Sequence, residues 1–199
     1  MKLMNNMETA KNYPKELELG HVMLDLETMG KRAGCAIVSI GAVEFDINTG
    51  GIGKTFYKVV NLQSCLNVGL LIDASTLYWW LQQSDEARYA ICEKGDNIQN
   101  VLEEFSSFLA CLGDFRIWGN GARFDIGILE AAYFAVGNGE ILPWNFRNER
   151  DVRTLVSFDP VVKFEIPFTG TMHNPIDDCI HQINYCSKIW KNKNLSNKV

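Results

Sequence analysis

Apolar and polar positions fall into two different patterns along this chain. Between His21 and Val60 three short runs rich in apolar and β-branched residues, HVMLDLET, AIVSIGAVEFDI and KTFYKVV, read as strands, and the turn-forming NTGGIG separates the second from the third. A meander of three strands is expected there. Helical periodicity then takes over: in STLYWWLQQSDEARYAI, residues Leu77, Trp80, Leu81 and Ser84 follow three- and four-residue steps, and NIQNVLEEFSSFLACL does the same, so both read as helices. A short apolar segment, FRIWGN, precedes a helix expected from about Ala122 to Val136, followed by the loop GNGEILPW. RDVRTLVSF reads as a strand edge leading into a short helix, and VVKFEIPF is ambiguous between strand and helix. The last helix has a marked start, with Asn174 as N-cap, Pro175 in the first helical position and Asp177 where an acid suits the positive helix end. A strand meander followed by alternating helices and strands predicts an α/β domain with a mixed sheet covered by helices.

At 199 residues, 47% of them hydrophobic, the chain has the size of one well-cored domain, expected over 21–191. Residues 1–20 read as a polar N-terminal extension and 192–199 as a polar tail. No apolar run approaches the ~20 residues of a membrane span, and the first residues lack the apolar centre of a signal peptide, so a soluble, cytoplasmic protein without membrane partners is expected. The formal charge of -5 argues against coating nucleic acid through a broad basic surface, though not against gripping a strand end. Six cysteines are scattered without a CxxC pair or zinc-type spacing and read as reduced thiols. GGIGKT has a P-loop flavour, but Asn48 stands where the first glycine is required and the segment joins two strands, so it is read as a hairpin turn.

The chemistry lies where acids interrupt apolar segments: Asp25 and Glu27 in VMLDLET, Asp125 in GNGARFDIGILE, and His173 with Asp178 in MHNPIDD. A lone ionised carboxylate among apolar residues is costly unless paired or bound to a cation, so three such segments point to one shared cation site. Asp25 and Glu27 are two apart on a strand and leave the same face, opposite Val22, Leu24 and Leu26. Asp125 falls on the helical stripe of Ile128, Leu129 and Ala132; the bland alternative is an acid paired with Arg123 or Arg153. His173 precedes the last helix and Asp178 lies about one turn into it, so both can act on one centre, whereas Asp177 is rotated roughly 100° away and suits capping.

Together these segments resemble the DEDDh family of 3′-to-5′ exonucleases. DxE matches Asp25-Leu26-Glu27, the helix-borne acid matches Asp125, and HxxxxD matches His173 through Asp178, in the family's order, over about His21 to Trp190. The wording DLETMG, NGARFDIGILEAAY, RDVRT and HNPIDDCIHQ is most similar to the branch holding bacterial exoribonucleases and phage exodeoxyribonucleases of the exonuclease A type. Pro175 departs from the small residue usual there, but proline suits a first helical position.

The resemblance implies a ribonuclease H-like mixed five-stranded sheet, a three-strand antiparallel meander plus parallel strands, and two Mg²⁺ or Mn²⁺ ions roughly 3.5 to 4 Å apart. On that reading Asp25 bridges the ions, Glu27 and Asp178 complete one shell, Asp125 holds the second ion mainly through water, and His173 is the general base. The expected reaction is hydrolysis at single-stranded DNA or RNA 3′ ends with release of nucleoside 5′-monophosphates. Thr28 and Met29 are expected to meet the terminal nucleotide, and Trp79 or Trp80 to stack on a neighbouring base. Since the two indoles are adjacent on a helix, only one can fully face the core. An oligoribonuclease-like hydrolase of short oligonucleotides, or a catalytically silent adaptor of the same fold, are the alternatives; a homodimer is left open, as is DNA against RNA.

Overall fold

The computed structural model describes residues 20–121, 123–137 and 142–196. Its five strands are β1 (Gly20–Thr28), β2 (Ile37–Phe45), β3 (Ile52–Val59), β4 (Phe115–Gly119) and β5 (Glu149–Asp151), forming one sheet in the order β3-β2-β1-β4-β5. The first three are antiparallel neighbours, whereas β1 pairs with β4 and β4 with β5 in parallel. Parallel neighbours need crossovers, and helices supply them. Between β3 and β4 lie α1 (Leu62–Asn67), α2 (Ala74–Trp80), α3 (Asp85–Cys92) and α4 (Ile98–Ala110). Between β4 and β5 lies α5 (Asp125–Ala135), and after β5 come α6 (Val152–Val156), α7 (Pro160–Glu165) and α8 (Pro175–Ser196). The expected fold class, a three-strand meander plus parallel strands flanked by helices, is the one found.

β1 is buried on both faces, which explains its dense apolar sequence. Val22, Leu24 and Leu26 join a core with α4 (Val101, Leu102, Phe105) and α5 (Ile128, Leu129, Ala132). Met23 belongs to a second core with Val43, Trp118 and, from α8, Cys179, Ile183 and Cys186. Asp25 and Glu27 share the parity of Met23 and therefore face α8.

Several expectations change. The helix read over 75–91 is two, α2 and α3, with Leu81 exposed between them and Leu77 more than a third exposed; of that stripe only Trp80 enters the core. α1 was not foreseen, being a helix of only 6 residues capped by the Asn61 side chain, which accepts the Ser64 N–H at 3.0 Å. VVKFEIPF contributes to α7, which Pro160 opens at its first turn. α8 continues through Ser196, into the segment read as a tail. The remainder of that tail and nearly all of the N-terminal extension lie outside the described residues. GGIGKT does sit in the β2–β3 hairpin, closed by Asp46 N–H to Gly51 O at 2.9 Å and Gly50 N–H to Asp46 O at 2.7 Å. All six cysteines are free, four of them buried. Among the described residues no helix is long and apolar enough to cross a membrane.

α8 reaches the sheet through one glycine. Gly41 pairs with Asp25 across the β1–β2 ladder, and a Cβ there would lie 2.4 Å from Pro175 Cβ and 2.9 Å from its carbonyl carbon. The start of α8 thus rests on bare backbone beside Asp25. Alanine in a strand would otherwise gain about 0.5–1 kcal/mol over glycine. Gly41→Ala is expected instead to cost about 1–3 kcal/mol through overpacking, lowering Tm by roughly 2–4 °C per kcal/mol in a thermal melt. An unchanged or raised Tm would show that α8 is not seated by this contact.

Candidate active site

The carboxylates converge where β1 ends. Asp25 and Glu27 come from β1, Asp125 opens α5, and Asp178 lies in the first turn of α8. A pocket of about 350 Å³ is lined by Asp25, Glu27, Thr28, Trp79, His173 and Asp178, among others. Asp125 sits behind it, 1% exposed, with Oδ1 accepting the Leu26 N–H at 3.2 Å and Oδ2 accepting the Asn120 N–H at 2.7 Å. Both its oxygens are held by backbone, so the alternative of an arginine ion pair gives way to a bracket joining α5, β1 and the end of β4. Arg153 instead donates to Asn120 Oδ1 at 3.4 Å and acts on Asp125 through its field.

Burial and mutual repulsion dominate the protonation of this cluster. Burial, with Asp125, Glu27 and Asp178 adding repulsion, holds the Asp25 carboxyl well above the usual range, opposed by one hydrogen bond from Gln182 Nε2 at 2.9 Å. Burial and the nearby Asp178 and Asp125 push Glu27 up to about 8. Burial raises Asp125 to about 6 against the pull of its backbone donors, and raises Asp178 against the pull of His173. Clustered acids in this state are matched to a hard divalent cation, which satisfies oxygen donors and removes the repulsion. One donor atom from each of Glu27, His173 and Asp178 lies within 4.8 Å of the others.

The histidine is held by geometry as well as charge. His173 Nδ1 is 3.9 Å from Glu27 Oε1, and its backbone has φ 65°, the left-handed region, at a cost of about 1–3 kcal/mol for a residue with a Cβ. Its ring lies edge-on to Trp79 at 5.2 Å and near Trp80 at 6.0 Å. α8 then starts as read: Asn174 Oδ1 accepts the Ile176 N–H at 3.0 Å and the Asp177 N–H at 3.3 Å. Asp177 turns away from the pocket and accepts the Thr171 N–H at 2.8 Å, pinning the preceding loop.

The residues expected to meet a nucleotide divide. Trp80 is 1% exposed and donates its indole N–H to Thr28 O at 3.0 Å, so it is the core indole, while Trp79, 38% exposed, stands at the pocket mouth. Thr28 lines the pocket, with its hydroxyl donating to Gly30 O at 2.7 Å. Met29 does not present its side chain: it is 2% exposed in the core, drawn inward by bonds of its N–H to Ala36 O and of its carbonyl to Asp73 N–H. Two residues were missed. Gln182 lies one turn beyond Asp178, and a glutamine on the same helix face as buried Cys179, Ile183 and Cys186 was a readable signal. Thr76, whose buried hydroxyl beside the pocket has no hydrogen-bond partner among the described residues, carried no signal above its helix.

The ribonuclease H-like sheet carries DxE on its central strand, an acid at a helix start and HxxxxD entering the last helix, the arrangement that the resemblance to DEDDh 3′-5′ exonucleases implies. Residues 20–190 match the 3′-5′ exoribonuclease Rv2179c-like domain, and the chain belongs to that family. It is 25% identical over 194 residues to an exodeoxyribonuclease of Enterobacteria phage T4, covering 81% of this chain and 85% of the phage protein. In fold it is similar to the nuclease domain of 3′hExo, a DEDDh family member solved bound to rAMP, with a TM-score of 0.59 and 12% identity over 89% of this chain and 94% of that one. It is also similar to Escherichia coli exonuclease I in complex with a dA16 oligonucleotide, with a TM-score of 0.61 and 14% identity over 85% of this chain and 40% of that one.

The raised carboxyls set the sign of a pH effect. The folded chain holds protons at Glu27 and Asp125 that the unfolded chain releases near its ordinary carboxylate values, so their contribution is complete below about pH 4 and is lost as pH rises toward about 8. In chelator, Tm is expected to fall across that window, and Glu27→Gln to flatten the fall. Mn²⁺ at about a hundred times its dissociation constant should add about 2.7 kcal/mol, roughly 5–11 °C, with the largest gain at the alkaline end. A metal-free Tm that rises from pH 5 to 8 would contradict the electrostatics described.

Proposed function

We propose that the exonuclease requires divalent metal and removes nucleotides from single-stranded DNA or RNA 3′ ends, releasing nucleoside 5′-monophosphates. The observation that carries this reading is the convergence of Asp25, Glu27, Asp125 and Asp178 at the end of β1, Asp125 buried and the others partly so, where desolvation raises each carboxyl. An all-oxygen donor set suits Mg²⁺ or Mn²⁺. Asp25, Glu27 and Asp178 would hold the ions directly, and Asp125, whose oxygens already accept two backbone N–H bonds, would act through water. Bound ions of this kind supply an activated water and neutralise charge on the reacting phosphate and the leaving 3′ oxygen.

The protein groups divide the remaining work. His173, beside Glu27 and partly open to solvent, takes the proton of the attacking water. Gln182 fixes one oxygen of Asp25, so that the other is presented to the pocket. Trp79 offers a base-stacking face at the mouth, while the Trp80 indole braces the end of β1 through Thr28 O. Six free thiols fit a reducing compartment, which supports a cytoplasmic location.

With 5′-labelled single-stranded DNA and RNA and Mn²⁺, a ladder shortening from the 3′ end is expected. Asp25→Asn should abolish it, and His173→Ala should slow it by about 10²–10⁴. Folded, metal-loaded protein that cleaves neither polymer would overturn the reading in favour of an adaptor. Separately, Trp79→Ala should raise KM by roughly 5- to 150-fold with a smaller effect on kcat, from the ~1–3 kcal/mol of one base stack. Trp80→Ala should instead cost about 3–5 kcal/mol of stability, seen as a lowered denaturant midpoint.

A further inference from the structure

A second cavity, of about 740 Å³ and roughly twice the volume of the catalytic pocket, opens at the other end of β1. Its walls include His21, Phe45, Arg116, Trp118, Arg150 and Trp190. His21 lies four residues before Asp25 on the same strand face, roughly 13 Å away at about 3.3 Å per residue. On α8, Trp190 lies eight residues beyond Gln182, roughly 12 Å at about 1.5 Å per residue. Both rulers place the cavity well outside the carboxylate cluster, on the same side of the sheet.

The sheet register explains how two cations come to share this wall. His21 pairs with Arg116 across β1 and β4, and Trp118 pairs with Arg150 across β4 and β5, so Arg116, Trp118 and Arg150 all leave the face covered by α8. The guanidinium of Arg150 is fixed rather than neutralised, since its Nη1 donates to two carbonyls, Arg147 O at 2.8 Å and Glu149 O at 2.7 Å. Among the described residues Arg116 closes no ion pair. The two arginines feel each other: after burial, the charge of Arg116 lowers the pKa of Arg150, and it helps hold His21 down to about 4. His21 is therefore neutral, its Nδ1 accepting the Trp118 indole N–H at 2.9 Å.

Two acids stand on the same wall, each with a backbone N–H on its carboxylate, and the charge of Asp46 reaches His21, where it opposes that of Arg116. Glu44 accepts the Lys54 N–H at 3.0 Å, and Asp46 accepts the Asn48 N–H at 2.7 Å. Trp190, more than a third exposed, is pinned by its indole N–H to Asn48 Oδ1 at 3.1 Å and so presents a fixed aromatic surface. A pre-aimed guanidinium, a second one beside it and a held indole match an anion carried next to a planar ring.

We propose that this cavity binds one nucleotide unit, its phosphate between Arg116 and Arg150 and its base against Trp190. The unit comes either from the substrate strand, away from its reacting 3′ end, or from a free nucleoside 5′-monophosphate. The first source rests on the exonuclease reading; the second does not.

The test compares wild type with Arg116→Glu, after matching Tm values show that both fold, and repeats the comparison with Arg150→Gln. KM is measured for a dinucleotide and a 20-mer, and adenosine 5′-monophosphate is titrated calorimetrically in chelator. A substrate-strand site predicts a KM for the 20-mer raised by about tenfold or more, with dinucleotide kinetics unchanged. A free-nucleotide site predicts unchanged 20-mer kinetics and a Kd for the monophosphate weakened by about tenfold or more. If neither quantity moves in either variant, the arginines are only solvated and the proposal is overturned. Wild-type turnover of the dinucleotide reports on the exonuclease reading separately, because Arg116 lies outside the catalytic pocket.

Discussion

Four carboxylates crowded against one another, Asp125 buried and the other three partly so, set the terms for the surrounding structure. Taking an acid even partly out of water is costly, and crowding four side by side adds repulsion that protons or cations relieve. The scaffold meets part of this cost with fixed dipoles: two backbone N–H groups on Asp125 and one amide on Asp25. The remainder leaves the carboxyls raised, a state that a divalent cation would relieve. Stability given up at the site is offset by two apolar cores, one on each face of β1.

α8 is the element on which that arrangement turns. Its buried stripe, Cys179, Ile183 and Cys186, docks on the face of β1 that carries Asp25 and Glu27, so the same contact that fills the core delivers Asp178 and Gln182 to the acids. Gly41 lets its first turn touch the sheet, and His173 accepts a left-handed backbone immediately before it. Twelve residues separate Asp178 from Trp190, and over that length the helix runs from an acidic pocket to a cavity walled by two arginines. The net charge of -5 does not report this difference, because the far cavity sets two arginines beside Glu44 and Asp46, whereas the near pocket gathers acids alone with His173.

The features legible in the chain were those with short-range causes. The strand period placed Asp25 and Glu27 on one face; the cap, proline and acid of NPIDD placed the start of α8; and helical spacing put Asp125 on a buried stripe. Periodicity failed where a run was long enough to look continuous but lacked a neighbour to bury it, as between α2 and α3, where Leu81 faces solvent. Met29 shows the same limit from the other side: a residue beside the site by sequence is pulled into the core by bonds to Ala36 and Asp73.

By itself the sequence determined the fold class, the family, and the five side chains that the fold brings together at the end of β1, because periodicity, capping and motif order are written within a few residues of one another. The tertiary structure alone decided which indole is buried and which is exposed, that Gln182 holds Asp25, that Asp125 is held by backbone rather than arginine, and that two arginines share a second cavity. The physical reason is separation along the chain: Leu26 meets Asp125 across 99 residues and Asp25 meets Gln182 across 157, and no local pattern records contacts that form only when the sheet and α8 close together.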